Sequence, residues 1–178
     1  MGLVTCRSIV GGRTFPGLVC LLLLAAGCGY HPLGEGGAPA EIQHLYLAPL
    51  NNGTFRPGLQ GLVGAAILRR LRQDGRVQLV SQETADVVLA GDLTAYENIP
   101  LAVDSSDVGR RFRVRLSFAM QLKERGGEKL LLKEEVTGEA FYTTGSDVVG
   151  TRSAEEEAAQ RAAQDLAARV VTRLIEGL

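Results

Sequence analysis

The chain has no tryptophan, and its 178 residues include only five phenylalanines, four tyrosines, two histidines and three cysteines. So thin an aromatic supply argues against a sugar-stacking platform or an aromatic cage for a cation. Neither sign of charge dominates, with 19 basic residues against 20 acidic ones. The whole-chain field therefore favours neither nucleic acid nor any other highly charged partner. No apolar run approaches the ~20 residues that cross a bilayer as a helix. The glycines at 58, 61 and 64 are not followed by the Gly-Lys-Ser/Thr of a phosphate loop. Neither His31 nor His44 has an acid and a nucleophile at a recognisable spacing, so no catalytic residue and no enzymatic activity is expected. Asp104 and Asp107 in "DSSD" fit no calcium-loop spacing and read as a solvated loop, so no metal site is expected either.

What is present begins with a leader. Arg7 and Arg13 come early, no acid occurs before Glu35, and Leu18 to Ala26 is unbroken apolar sequence. With the small residues Ala25-Ala26-Gly27 behind it, this is the pattern of an export signal over residues 1–27, predicted to be cleaved. Cys6 and Cys20 leave with it, and Cys28 remains as a lone cysteine, which excludes an internal disulfide and a cysteine-rich zinc site. Leu24-Ala25-Ala26-Gly27-Cys28 resembles the lipobox of bacterial lipoproteins, which implies lipid attachment at Cys28; an unmodified thiol is the bland alternative. Several acyl chains, at ~0.8 kcal/mol per buried methylene, hold a protein on a membrane where a single chain does not. "GEGGAPA" (34–40) is a flexible Gly/Pro/Ala tether, so residues 28–40 form a lipidated N-terminus and spacer and residues 41–178 a single domain.

Within that domain "IQHLYLAPL" (42–50) is apolar on both faces, as a central strand would be, and "NNGTFRPG" (51–58) is a loop. A helix is expected from Pro57 to a stop at Gly75, with Leu59, Leu62, Val63, Ala66, Ile67 and Leu71 on one stripe. Residues 76–80 and 85–99 are expected as strands, and 100–109 as a loop. The clearest signal is 110–123, where Phe112, Val114, Leu116, Phe118, Met120 and Leu122 alternate with mainly polar residues. Residues 130–144 return as its partner. A bare two-residue turn at Gly126-Gly127 would oppose the apolar face to Lys133, Glu135 and Glu139; an odd-length loop or a bulge restores Leu122 beside Leu130 or Leu132. A last helix from Ser153 to Leu178 is expected to start on a capping box of Ser153 with Glu156 and to bury Ala159, Ala163, Leu166, Val170 and Leu174. The fold class is α+β: two helices packed on a mixed, mostly antiparallel four-stranded sheet with one face partly polar.

One electrostatic feature stands out, Arg110, Arg111, Arg113 and Arg115 in "GRRFRVR". Such a cluster can take phosphates or carboxylates through bidentate bonds. Equally, Arg113 and Arg115 can form a cross-strand ladder with Glu135 and Glu139, which solubilises a sheet face. Arg110 and Arg111, nearer the loop, are less clearly matched to an acid.

"GCGYHPLG" after the lipobox, "IQHLYLAPLNNGTFRPGL" leading into a helix, "DGRVQLVSQETADVVLAGDLTAYENIPLAVD" and "RRFRVRLSFAMQL" together resemble the LptE family of Gram-negative bacteria. That resemblance implies two helices on a four-stranded sheet and a non-enzymatic lipoprotein anchored at the outer membrane on its periplasmic side. Its implied partners are the LptD β-barrel, whose lumen the domain plugs, and lipopolysaccharide, which the pair places in the outer leaflet. Gly29 after the lipobox cysteine, where an aspartate would signal inner-membrane retention, fits that address. The implied ligand carries phosphates, so Arg110, Arg111, Arg113 and Arg115 are its candidate contacts on physical grounds. No cofactor is expected beyond the lipid on Cys28. The alternative is a lipid-anchored periplasmic module that binds peptidoglycan or scaffolds another envelope complex.

Overall fold

Alternation with a period of two makes 111–124 a strand with one face to bury, and the rest of the domain is arranged around that need. A computed structural model describes residues 43–102, 111–126, 129–144 and 148–176. The chain divides into two units, 1–35 and 36–178, and every described residue belongs to the second. The expected signal, Cys28, His31, the tether, Asp104, Asp107 and Arg110 lie outside the described residues.

The elements are β1 (His44–Leu47), β2 (Asn51–Asn52), α1 (Leu59–Asp74), β3 (Gln78–Leu79), β4 (Val87–Ala102), β5 (Arg111–Glu124), β6 (Leu130–Thr143) and α2 (Val148–Glu176). Two helices on a mixed sheet are as expected, but the sheet has six strands, not four, and is not mostly antiparallel, since three of its five strand pairings are parallel. Its order is β3-β1-β4-β5-β6, with β2 also on β4, and the pairs β1–β3, β1–β4 and β2–β4 are parallel while β4–β5 and β5–β6 are antiparallel. Two causes account for the added strand β2 and for the parallel pairing of β3. Pro49 has no N–H to give, so the single strand expected over 42–50 breaks, and the chain meets β4 again only at Asn51–Asn52. Then α1 acts as a crossover that returns the chain beside β1, and a crossover makes the flanking strands parallel.

Several boundaries also move. Gly58 takes a left-handed conformation (φ 79°), so α1 opens at Leu59 and not at Pro57. Its other end is as expected: Gly75 (φ 74°) donates its N–H to Leu71 O and closes the helix. The strand expected over 76–80 shortens to Gln78–Leu79, while β4 runs on to Ala102 into the expected loop. The last helix starts five residues before Ser153, at Val148, so Ser153 and Glu156 lie inside it and form no capping box. An i,i+4 pair, Arg152–Glu156 at 3.8 Å, supports that added turn.

The core lies between the sheet and the helices. Val114, Leu116, Phe118, Met120 and Leu122 of β5 are all fully buried, with Val63, Ile67 and Leu71 of α1 and Ala159, Ala163, Leu166, Val170 and Leu174 of α2. A Cβ on Gly138 would sit 2.4 Å from Ala162 O, so only glycine lets α2 approach β6 this closely. Bulges keep the two faces in phase. Thr94 is the extra residue in β4, where Leu93 opposes Phe118 and Ala95 opposes Ser117. In β6 a one-residue shift separates Lys123↔Leu130 from Leu122↔Leu132 and restores apolar against apolar, as the sequence required.

Candidate functional site: the arginine-bearing face of the sheet

Because β5 alternates, its odd-numbered residues stand on the face that the helices leave uncovered. Cross-strand register sets them in rows: Ala102↔Arg111↔Thr143, Ile99↔Arg113↔Phe141, and Glu97↔Arg115↔Glu139. Three of the four candidate arginines therefore share one face; the fourth, Arg110, lies outside the described residues.

The three do not have equal surroundings. Arg115 Nε donates to Glu139 Oε1 at 2.6 Å, and its Nη1 lies 3.8 Å from Glu97 Oε2. Arg113 Nη1 reaches the other oxygen of Glu139 at 3.5 Å, while its buried Nε has no hydrogen-bond partner. The ladder is thus real, but its acids are Glu139 and Glu97. Glu135, the other expected partner, instead accepts from the Thr94 hydroxyl at 3.2 Å, because its row falls at Ala119. Glu97 could not be anticipated without the bulge at Thr94, which sets the phase of that half of β4.

Arg111 is exposed and has no carboxylate partner among the described residues; its guanidinium lies over the Phe141 ring, 5.0 Å from the centroid. A stacked arginine keeps its in-plane N–H donors free, the geometry that takes a phosphate or carboxylate edge-on. Among the described residues the face is a half-wet ion-pair ladder that ends, at the Arg111 row, on a cation without a carboxylate partner. Helix α2 stiffens it from the edge, where Asp165 Oδ2 accepts the Glu139 N–H at 2.9 Å and Arg161 donates to Phe141 O at 3.0 Å.

The structure also brings together a pair absent from the sequence reading. His44 Nδ1 lies 3.0 Å from Asp86 Oδ2, which also accepts the N–H groups of His44 (3.0 Å) and Gln43 (3.3 Å). Bonded first to the imidazole and then to these amides, Asp86 is held below its ordinary carboxylate range. No Ser, Thr or Cys bonds the imidazole among the described residues, and the pair serves as a clamp where β1 enters the sheet. No cluster of His, Cys, Asp or Glu among the described residues could hold a metal, and no described helix is long and apolar enough to cross a membrane.

Against known proteins, no curated protein matches the chain in sequence. Solved structures do share its fold. A hypothetical protein from Chlamydia trachomatis is 14% identical, with a TM-score of 0.56 over 75% of this chain and 96% of its own. A minor lipoprotein from Acinetobacter baumannii is 17% identical, with a TM-score of 0.52 over 76% and 94%. The rare lipoprotein B from Shewanella oneidensis is 13% identical, with a TM-score of 0.51 over 74% and 94%. At such identities the likeness speaks for the fold alone. The family match reaches further: residues 42–174, from β1 to the end of the buried stripe of α2, match LptE, the lipopolysaccharide-assembly family. With three-quarters of its length matched, the chain belongs to the LptE family of lipopolysaccharide assembly.

Proposed function

We propose that this chain is a non-enzymatic lipoprotein, anchored through lipid on Cys28 at the periplasmic side of the outer membrane, that plugs and assists the LptD β-barrel in placing lipopolysaccharide in the outer leaflet. The observation that carries this reading is the family match across the domain. Two structural features support it. The uncovered sheet face carries paired charges where a soluble monomer would only need solubility, and polar, ion-paired rows suit the wet lining of a barrel lumen. At the end of those rows Arg111 stacks on Phe141 and has no carboxylate partner among the described residues. In this reading Arg111 is the first contact for a lipopolysaccharide phosphate, with Arg110 beside it in sequence. Arg113 shares its one acid, and Arg115, bonded on both sides, mainly holds the ladder.

Co-purification with crosslinking tests the proposal. The full-length lipidated protein, drawn from detergent-solubilised envelopes, brings down one large β-barrel protein that resists moderate salt. Recovery of the lipoprotein alone from cells that make the barrel would sink the proposal. Retention on purified cell wall without a barrel would favour the peptidoglycan or scaffolding alternative.

A further inference from the structure

We infer that Phe55 is a preformed anchor by which this domain docks into an apolar pocket on its protein partner; the inference rests on the reading above and names a contact within it. Phe55 is the most exposed large apolar side chain among the described residues, at 106% of its reference area. A fully exposed ring is usually a sign of a floppy loop, but here the loop is held from several directions. Asn52 Nδ2 donates to Arg56 O at 2.8 Å and to Gln60 Oε1 at 3.0 Å, and Asn52 Oδ1 accepts both the N–H (3.0 Å) and the hydroxyl (2.7 Å) of Thr54. The Gly53 N–H donates to Leu93 O at 2.9 Å, which ties the loop to β4.

On the other side of Phe55, Arg56 reaches across to the helix. Its guanidinium lies over the Tyr96 ring at 4.5 Å, donates to the Tyr96 hydroxyl and pairs with Glu155 Oε1 of α2 at 2.8 Å. The Tyr96 hydroxyl donates to that same oxygen at 2.7 Å. Both neighbours of Phe55 are therefore fixed while the ring itself is in water. A groove of about 480 Å³ opens here, with Phe55 in its lining together with Thr54, Arg56, Thr94 and Tyr96. An exposed ring at the wall of a groove offers relief to a complementary surface. Since the loop is ordered before docking, little conformational freedom remains to be lost on binding.

The surroundings favour a protein over a lipid as the occupant. A phosphate-bearing lipid needs a free cation beside its apolar part, and the adjacent guanidinium is already engaged by Glu155 and Tyr96. A fluid acyl chain has no use for one rigid ring, whereas central, desolvated aromatic anchors dominate protein interfaces. In the reading above the pocket lies on the inner wall of the β-barrel.

The test uses the lipidated full-length chain in envelopes. A photoreactive benzoylphenylalanine at position 55 is expected to give an adduct with the β-barrel protein. An adduct with lipopolysaccharide, or with a second copy of this chain, would overturn the inference. In parallel, Phe55→Ala is expected to keep the circular dichroism and melting temperature of the parent, since the side chain is fully exposed, while barrel recovery falls at least about tenfold, as for an interface anchor. Phe55→Leu should restore part of it. Equal recovery by Phe55→Ala and the parent overturns the anchor and leaves the barrel partnership standing; a parent that recovers no barrel overturns that partnership and the anchor with it.

Discussion

The two faces of the β4–β5–β6 ribbon come from the same residues taken alternately, yet they are held by different physics. Inside, Val114, Leu116, Phe118, Met120 and Leu122 are sealed from water by α1 and α2. Outside, Arg111, Arg113 and Arg115 stand in rows with Glu97 and Glu139 and keep about a quarter to a half of the paired side chains wet. The inner face holds the domain together by removing apolar area from water. The outer face contributes little net energy, because half-exposed ion pairs are screened and cost side-chain entropy to hold. What the outer face gains is freedom: its residues can be committed to a partner or ligand without risking the fold.

The largest expected effect breaks the inner face. Phe118→Ala empties the centre of the core beside Gly91, whose missing side chain makes room for the ring. A loss of about 3–5 kcal/mol is expected, measured by urea unfolding at constant m-value. A loss under about 1 kcal/mol would mean that the helices do not seal that face as described.

Tyr96→Phe probes the rim, where the inner face turns polar. The hydroxyl bonds both Glu155 and Arg56, so its removal should cost about 1.5–3 kcal/mol, the range for hydrogen bonds to charged groups. Burial first, and the bond to Glu155 second, push the Tyr96 phenol above its ordinary range. The sign follows from proton counting. Above about pH 10 an unfolded chain releases a phenol proton that the folded one retains, so stability falls as pH rises further. In Tyr96→Phe the melting temperature should start lower at pH 8 and fall less between pH 9 and pH 11. Tyr142, raised mainly by burial, retains part of that alkaline loss.

How much of this was legible beforehand differs between the same two faces. The inner face could be written down from period two alone: Val114, Leu116, Phe118, Met120 and Leu122 are buried with Phe112 partly buried against them, and the five residues expected on the α2 stripe are buried too. The need for a phase correction between β5 and β6 was legible as well, since Leu122 had to find an apolar partner. The pairing on the outer face was not. Glu97 reaches Arg115 only because Thr94 is bulged, and a bulge leaves no mark on composition or periodicity. The strand count failed for a related reason: a two-residue strand such as β2 carries no periodicity, and it exists because β4 offers it an edge. The Arg56–Tyr96–Glu155 junction joins residues 40 and 99 positions apart, beyond the reach of any local signal.

Glu139→Gln asks whether the outer ladder is as weak as its exposure suggests. It removes the acid shared by Arg113 and Arg115, leaving Glu97 for Arg115 alone. The expected loss is about 1 kcal/mol, shrinking as sodium chloride rises from 0.05 to 0.5 M over roughly this span of screening. A salt-independent loss as large as that of Phe118→Ala would erase the distinction between the faces.

The smallest effect on stability should accompany the largest effect on ligand contact. Arg111 is exposed, stacks on Phe141 and has no acid to lose among the described residues, so Arg111→Glu should shift unfolding by less than about 0.5 kcal/mol. If its free donors take a lipopolysaccharide phosphate, the same reversal weakens binding to lipopolysaccharide micelles, and most strongly at low ionic strength. Arg115→Glu should behave in the opposite way, disturbing stability through Glu97 and Glu139 before it disturbs binding. Equal binding by both variants and the parent would make the whole row structural. A binding loss confined to Arg111→Glu would separate Arg111, without an acid among the described residues, from Arg113 and Arg115, which hold the face.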